Sequence, residues 1–183
     1  MHVRCMNLIK SRISMPPPVQ IHGKCHCGNI AINLEWPAGA QEIPARACTC
    51  SFCVKHGGVW TSNPNARLAV TIRDPALVSH YAFGTRTATF HICSRCGAVP
   101  IVTSEIANHL YAVVNVNVFE NIDASSLRRS SADFEGEAVE LRLARRQRNW
   151  IADVRIRSES DWLLLPSSLR GVSYFLRRGQ SSS

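Results

Sequence analysis

Ile30, Ile32, Leu34 and Trp36 alternate with Ala31, Asn33 and Glu35, the period-2 signature of a half-buried strand, which stops at Pro37. Shorter β patterns recur at Leu68, Val70 and Ile72, at residues 81–83, and at Phe90 with Ile92 just before a cysteine pair. The longest lies at residues 110–119. There Leu110, Ala112, Val114, Val116 and Val118 fall on one face, and Asn115 and Asn117 on the other. Two amides on one strand face belong either to a solvent-facing sheet edge or to a functional cleft. Residues 139–149, VELRLARRQRN, hold no glycine or proline and form the one predicted helix. The chain is therefore predicted to be mainly β, with at most one short helix.

The 183 residues suit one domain of ordinary size, long enough to bury a core. The run Pro16 to Pro18 cannot continue a helix and places the start of the ordered domain near Gln20. Residues 1–19 are read as a flexible leader, 20–155 as the domain and 156–183 as a tail. No stretch approaches the roughly 20 apolar residues of a membrane span. The expectation is a soluble cytoplasmic protein with no membrane partner. The formal charge of +8 divides unevenly. Residues 1–19 carry three basic groups and no acid, residues 20–124 seven against six, and residues 125–183 eleven against seven. The excess sits mainly in the ends, so nucleic acid is an expected partner only through basic tails.

Seven of the eight cysteines fall into three clusters: Cys25-His26-Cys27-Gly28, Cys48-Thr49-Cys50-Ser51-Phe52-Cys53 and Cys93-Ser94-Arg95-Cys96-Gly97. In a reducing compartment such spacing points to metal rather than to disulfides. Zinc takes thiolates at about 2.3 Å in a tetrahedron, and short spacers let two sulfurs from one turn reach the same ion. The outer pairs, Cys25 with Cys27 and Cys93 with Cys96, can close one four-sulfur site across some 70 residues. The middle triplet, Cys48, Cys50 and Cys53, supplies three sulfurs and leaves one position open, the mark of catalytic or ligand-binding zinc. Alternatively His26, His56 or His91 fills that position, or the triplet is a set of buried thiols. Three thiolates leave a zinc centre with net charge −1, a poor hydroxide generator that favours a soft fourth ligand such as an exogenous thiol. Arg46, Lys55 and His56 flank the triplet; each is read first as an ordinary solvated side chain, and otherwise as a group that offsets the charge or receives a carboxylate.

The order G-x-C-x-C-G, then C-x-C-x-x-C followed by Lys55-His56-Gly57-Gly58, then C-x-x-C-G resembles the glutathione-dependent formaldehyde-activating enzyme family, which includes centromere protein V. Phe83-Gly84-Thr85 and Asn115-Val116-Asn117 extend the likeness, which runs from about Gly23 through Trp150. The resemblance implies a tent-like fold of stacked small antiparallel sheets, a structural zinc on the outer four cysteines and a second zinc on the middle three. It also implies addition of glutathione to formaldehyde, a carbon–sulfur lyase reaction in reverse. On this reading the chain binds two zinc ions and acts on the adduct of a thiol, such as glutathione, with a small aldehyde. His56 and Asn115 are the candidate catalytic residues. The competing reading is a binder without turnover, either a thiol carrier or a zinc module that binds nucleic acid through its tails.

Overall fold

A computed structural model describes residues 17–39 and 42–159. The predicted leader up to residue 16, with Cys5, and the predicted tail beyond residue 159 lie outside the described residues. Strand β1 (Val19–Lys24) leads through the first cysteine knuckle into β2 (Ile30–Trp36). All four predicted inward residues of β2 are buried, and Ile32 stands opposite Val70 of β5 (Arg67–Ile72). With β11 (Asp153–Ser158) these strands form a four-stranded sheet in the order β1-β2-β5-β11. Strand β11 runs three residues past the predicted domain end.

The second sheet has seven strands: β3 (Ile43–Cys48), β4 (Val59–Thr61), β6 (Val78–Tyr81), β7 (Thr89–Cys93), β8 (Ile101–Ile106), β9 (His109–Asn115) and β10 (Leu127–Ala132). Their order is β10-β3-β4-β9-β8-β7-β6. Two pairings, β3 with β10 and β5 with β11, are parallel, and the rest are antiparallel. The predicted helix is α2 (Val139–Asn149), and a shorter helix, α1 (Ser51–His56), begins inside the cysteine triplet. The architecture is thus mainly β, two sheets with one helix of appreciable length.

The pattern at residues 110–119 does not continue as one strand. Asn115 ends β9, and its side chain accepts a hydrogen bond from the Asn117 amide at 3.2 Å, capping a 3-10 turn over Val116–Val118. An asparagine can offer its backbone this local partner in place of a ladder bond. The β signal at residues 81–83 likewise belongs to a strand that ends at Tyr81.

Each face of the seven-stranded sheet has its own core, because neighbouring residues of a strand point to opposite sides. Ile101, Ala112 and Val114 pack with Ile21, Ile32, Leu34 and Leu68 of the four-stranded sheet. Val102 and Val113 point the other way, into a cluster with Trp60, Phe90 and Trp150. Full burial of each large apolar side chain contributes about 1.5–3 kcal/mol, so both faces stabilise the fold. Backbone bridges Gly23 to Phe119 and Ala112 to Ile151 lace the two sheets together.

Candidate metal centres

The sulfurs of Cys25, Cys27, Cys93 and Cys96 all lie within 4.8 Å of one another. Cys25 Sγ is 3.7 Å from Cys27 Sγ, which is 3.4 Å from Cys93 Sγ. Four thiolates around one zinc at about 2.3 Å stand some 3.8 Å apart, so the group fits that ion. The knuckles hold their sulfurs by similar backbone bonding. The Cys25 amide donates to the Ile30 carbonyl at 2.8 Å and the Cys93 amide to the Ala98 carbonyl at 2.9 Å. Gly28 and Gly97 take φ of 76° and 75°, a left-handed turn that a side chain would disfavour. Cys25 and Cys93 are fully buried in the core between the sheets. The quartet therefore joins the β1–β2 turn of one sheet to the end of β7 in the other.

Cys48, Cys50 and Cys53 form the second group, also within 4.8 Å. They lie on the other side of the seven-stranded sheet, packed against the Trp60–Phe90 cluster. Cys48 ends β3, Cys50 is the N-cap of α1, and Cys53 sits one turn in. The Cys53 amide donates to Cys50 Sγ at 3.5 Å and Trp60 Nε1 donates to Cys53 Sγ at 3.3 Å. No histidine nitrogen or carboxylate oxygen among the described residues joins the three sulfurs. His26 and His56 are exposed. His91 is bonded through Nε2 to Thr103 Oγ1 at 2.8 Å and lies one residue out of phase with Phe90 and Ile92, which pack into the triplet's cluster.

Each group holds one thiol that ionises readily. A hydrogen bond with Cys53 is the main cause that brings Cys48 down to about 6, while the same bond and burial push Cys53 up. In the quartet, burial drives Cys93 up to about 12. Burial acts the same way on Cys96, but hydrogen bonds involving Ala98, Cys27 and Cys93 outweigh it and hold that thiol at about 6. A low-lying thiolate braced by thiols is the donor set expected to exchange its protons for a thiophilic cation.

Beside the triplet opens a cavity of about 970 Å³. Trp60, Phe83, Phe90 and Trp150 line it together with four arginines, Arg46, Arg142, Arg145 and Arg146. Arg145 is paired through two nitrogens with Glu137 at 2.9 and 2.8 Å and lies 3.7 Å over the Phe134 ring. Arg146 is buried and donates to Thr87 and Ser104, and burial lowers it to about 10. Arg46 donates to Ser62 Oγ at 2.7 Å. Sequence reading had a signal for Arg46, through its place beside Cys48, but none for the α2 arginines, which stand about 90 residues away.

Neither predicted catalytic residue lines this cavity. His56 ends α1 with its ring 4.4 Å from that of Phe52. Asn115 is buried; its Nδ2 donates to the Val99 carbonyl at 3.2 Å while its Oδ1 caps the turn described above. Asn117 is exposed and donates to the Gly57 carbonyl at 2.8 Å, bracing the end of α1. The Asn-x-Asn pair thus supports the triplet helix from behind.

No curated protein matches the chain. A crystal structure of a Rhodobacter sphaeroides protein is similar to it, at 28% identity over 60% of this chain and 99% of that one, with a TM-score of 0.43. The family model described as glutathione-dependent formaldehyde-activating enzyme matches residues 20–135, well over half of the chain and all seven clustered cysteines. By that match the chain belongs to the glutathione-dependent formaldehyde-activating enzyme family.

Proposed function

We propose that the protein is a two-zinc enzyme of the carbon–sulfur lyase type, acting on the adduct of a thiol with a small aldehyde in a reducing, cytoplasmic setting. The observation that carries this reading is the triplet: three converging sulfurs, no fourth protein ligand among the described residues, and a cavity of about 970 Å³ lined by all three. The quartet would hold a structural ion and Cys48, Cys50 and Cys53 the second. Zinc in the second site supplies a Lewis-acid position that favours a substrate sulfur in its thiolate form.

The residues around the site do the rest. Trp60 donates to Cys53 Sγ and so tempers the negative charge of the sulfur set. Trp60, Phe83, Phe90 and Trp150 give the substrate's carbon skeleton an apolar surface beside the sulfurs. In the forward direction the thiolate sulfur adds to the carbonyl carbon, a C–S bond forms, and the carbonyl electron pair moves to oxygen, which takes up a proton. The reverse breaks the same bond and needs no oxidant or reductant. Asn115 is a positioning residue on this reading, because its amide is spent on Val99 and Asn117. We assign His56 no contact with substrate, since Phe52 stands against it and it does not line the cavity.

X-ray absorption on zinc-loaded protein tests the reading. Two zincs per chain are expected, one of them with a light-atom ligand that added glutathione replaces by sulfur, with formaldehyde then consumed in the presence of the thiol. Two zincs already saturated by protein ligands, and unchanged by any thiol, would leave a structural module instead.

A further inference from the structure

Arg46 and Cys48 are two residues apart on β3 and so project from the same face of the strand. Both line the cavity, as does Trp60, which stands opposite Arg46 in the β3–β4 register. Arg46 is half-buried, its guanidinium donates to Ser62 Oγ at 2.7 Å, and no carboxylate among the described residues lies within ion-pair distance of it. Its other N–H donors are not matched to a protein acceptor in any side-chain bond of the described residues. The charges around it are of its own sign: Arg145 and Arg128 both act on it repulsively. Among the described residues, Glu135 is the one carboxylate residue that lines the cavity and makes no ion pair with Arg46, and Glu137 is already taken up by Arg145 and Arg142.

A partly desolvated, uncompensated guanidinium costs stability unless something pairs with it. Its planar fork matches a carboxylate bidentately, which a compact ammonium would not do. We infer that Arg46 is the specificity residue of this cavity, receiving a carboxylate of the substrate thiol while the thiol sulfur lies at the Cys48–Cys50–Cys53 group. Arg46 then discriminates the acid form of such a thiol from its neutral form, and it positions the molecule without touching the reacting carbon. This assignment rests on the proposed thiol site for the second contact only.

Titration calorimetry on the zinc-loaded full chain, with glutathione, its diethyl ester and S-methylglutathione, tests it. Glutathione is expected to bind at least about tenfold more tightly than the diester, the loss of one charge-assisted pair. Arg46→Gln should bring the two ligands together, and Arg46→Lys should retain part of the preference because charge survives without the fork. Thermal melts of both variants establish that they fold, and the wild-type comparison stands whatever they show. Equal binding of ester and acid by the wild type overturns the assignment, as does an undiminished preference in a folded Arg46→Gln, or no binding of glutathione. S-methylglutathione separates the two ideas. If it binds like glutathione with the same dependence on Arg46, the carboxylate contact holds and the thiol site fails. If it does not bind while acid and ester bind equally, the thiol site holds and Arg46 has no such role.

Discussion

At the scale of single residues, two positions carry more than their size implies. Gly23 lies where β1 crosses the chain after β9, and a methyl group there would collide with the Val118 carbonyl oxygen and stand 2.9 Å from its carbon. Backbone cannot yield as a side-chain tip can. Gly23→Ala is therefore expected to cost about 3 kcal/mol, the upper end of ordinary overpacking, measured as a lower denaturation midpoint with unchanged slope. Trp60 acts on the site itself. Removing its N–H in Trp60→Phe strips the hydrogen bond from Cys53 Sγ while keeping an aromatic ring against Phe90. Partners of this kind typically change metal affinity by about 10–100-fold. Competition with a chelator should show one weakened zinc in the variant, and the other unchanged.

Among the elements, α2 is the one whose role its sequence conceals. Nothing in its sequence ties its arginines to the triplet, yet Arg142, Arg145 and Arg146 line the cavity, held by Glu137, Phe134 and the backbone of Thr87. The Glu137–Arg145 pair is only about one-fifth exposed on either side, so its two hydrogen bonds are not idle surface contacts. Glu137→Gln is expected to cost about 1.5–3 kcal/mol, the value of hydrogen bonds to charged groups. The hydrogen bond from Arg145 holds the Glu137 carboxyl below its ordinary range. A depressed carboxyl contributes stability that is present above its unfolded pKa and lost as pH falls through the folded one. The difference in stability between wild type and Glu137→Gln should thus be full at neutral pH and shrink below about pH 4.5. A gap that persists undiminished at lower pH would show that the pair contributes by shape alone.

For the whole molecule, the two cysteine groups stand on opposite faces of one sheet and answer to different demands. The quartet joins two sheets through segments about 70 residues apart, whereas the triplet lies within β3 and α1. A closed zinc–thiolate site is worth roughly 10–16 kcal/mol of apparent binding energy in small zinc peptides, as much as the whole stability of a typical domain. Cys25→Ser or Cys96→Ser should therefore give unfolded or insoluble protein. Cys50→Ser should stay folded, retain about one zinc per chain and lose thiol binding. Elemental analysis and thermal melts of the three variants side by side check this, and a folded, stable Cys96→Ser would remove the quartet from its structural role.

Much of this is local and so legible in the chain. A knuckle places its own sulfurs because two or three residues of backbone decide their separation, and the 4 + 3 partition follows from counting ligands around a tetrahedral ion. Strand β2 and helix α2 match their predicted ranges because each has a periodicity stronger than its surroundings. The chain after Val114 shows the limit: a period-2 pattern continues, but the Asn115 side chain captures the Asn117 amide and turns the backbone aside. Short α1 left no signal in the chain, since the six residues after Cys50 are too few to carry a helical period of their own. Which sheet face each cysteine group occupies, that β10 pairs with β3 and β11 with β5 in parallel, and that arginines from residue 46 and from residues 142–146 line one cavity were decided by strand register and packing alone. Side chains a hundred residues apart meet only when the sheet between them has closed, and nothing in the spacing of residues along a chain records that distance.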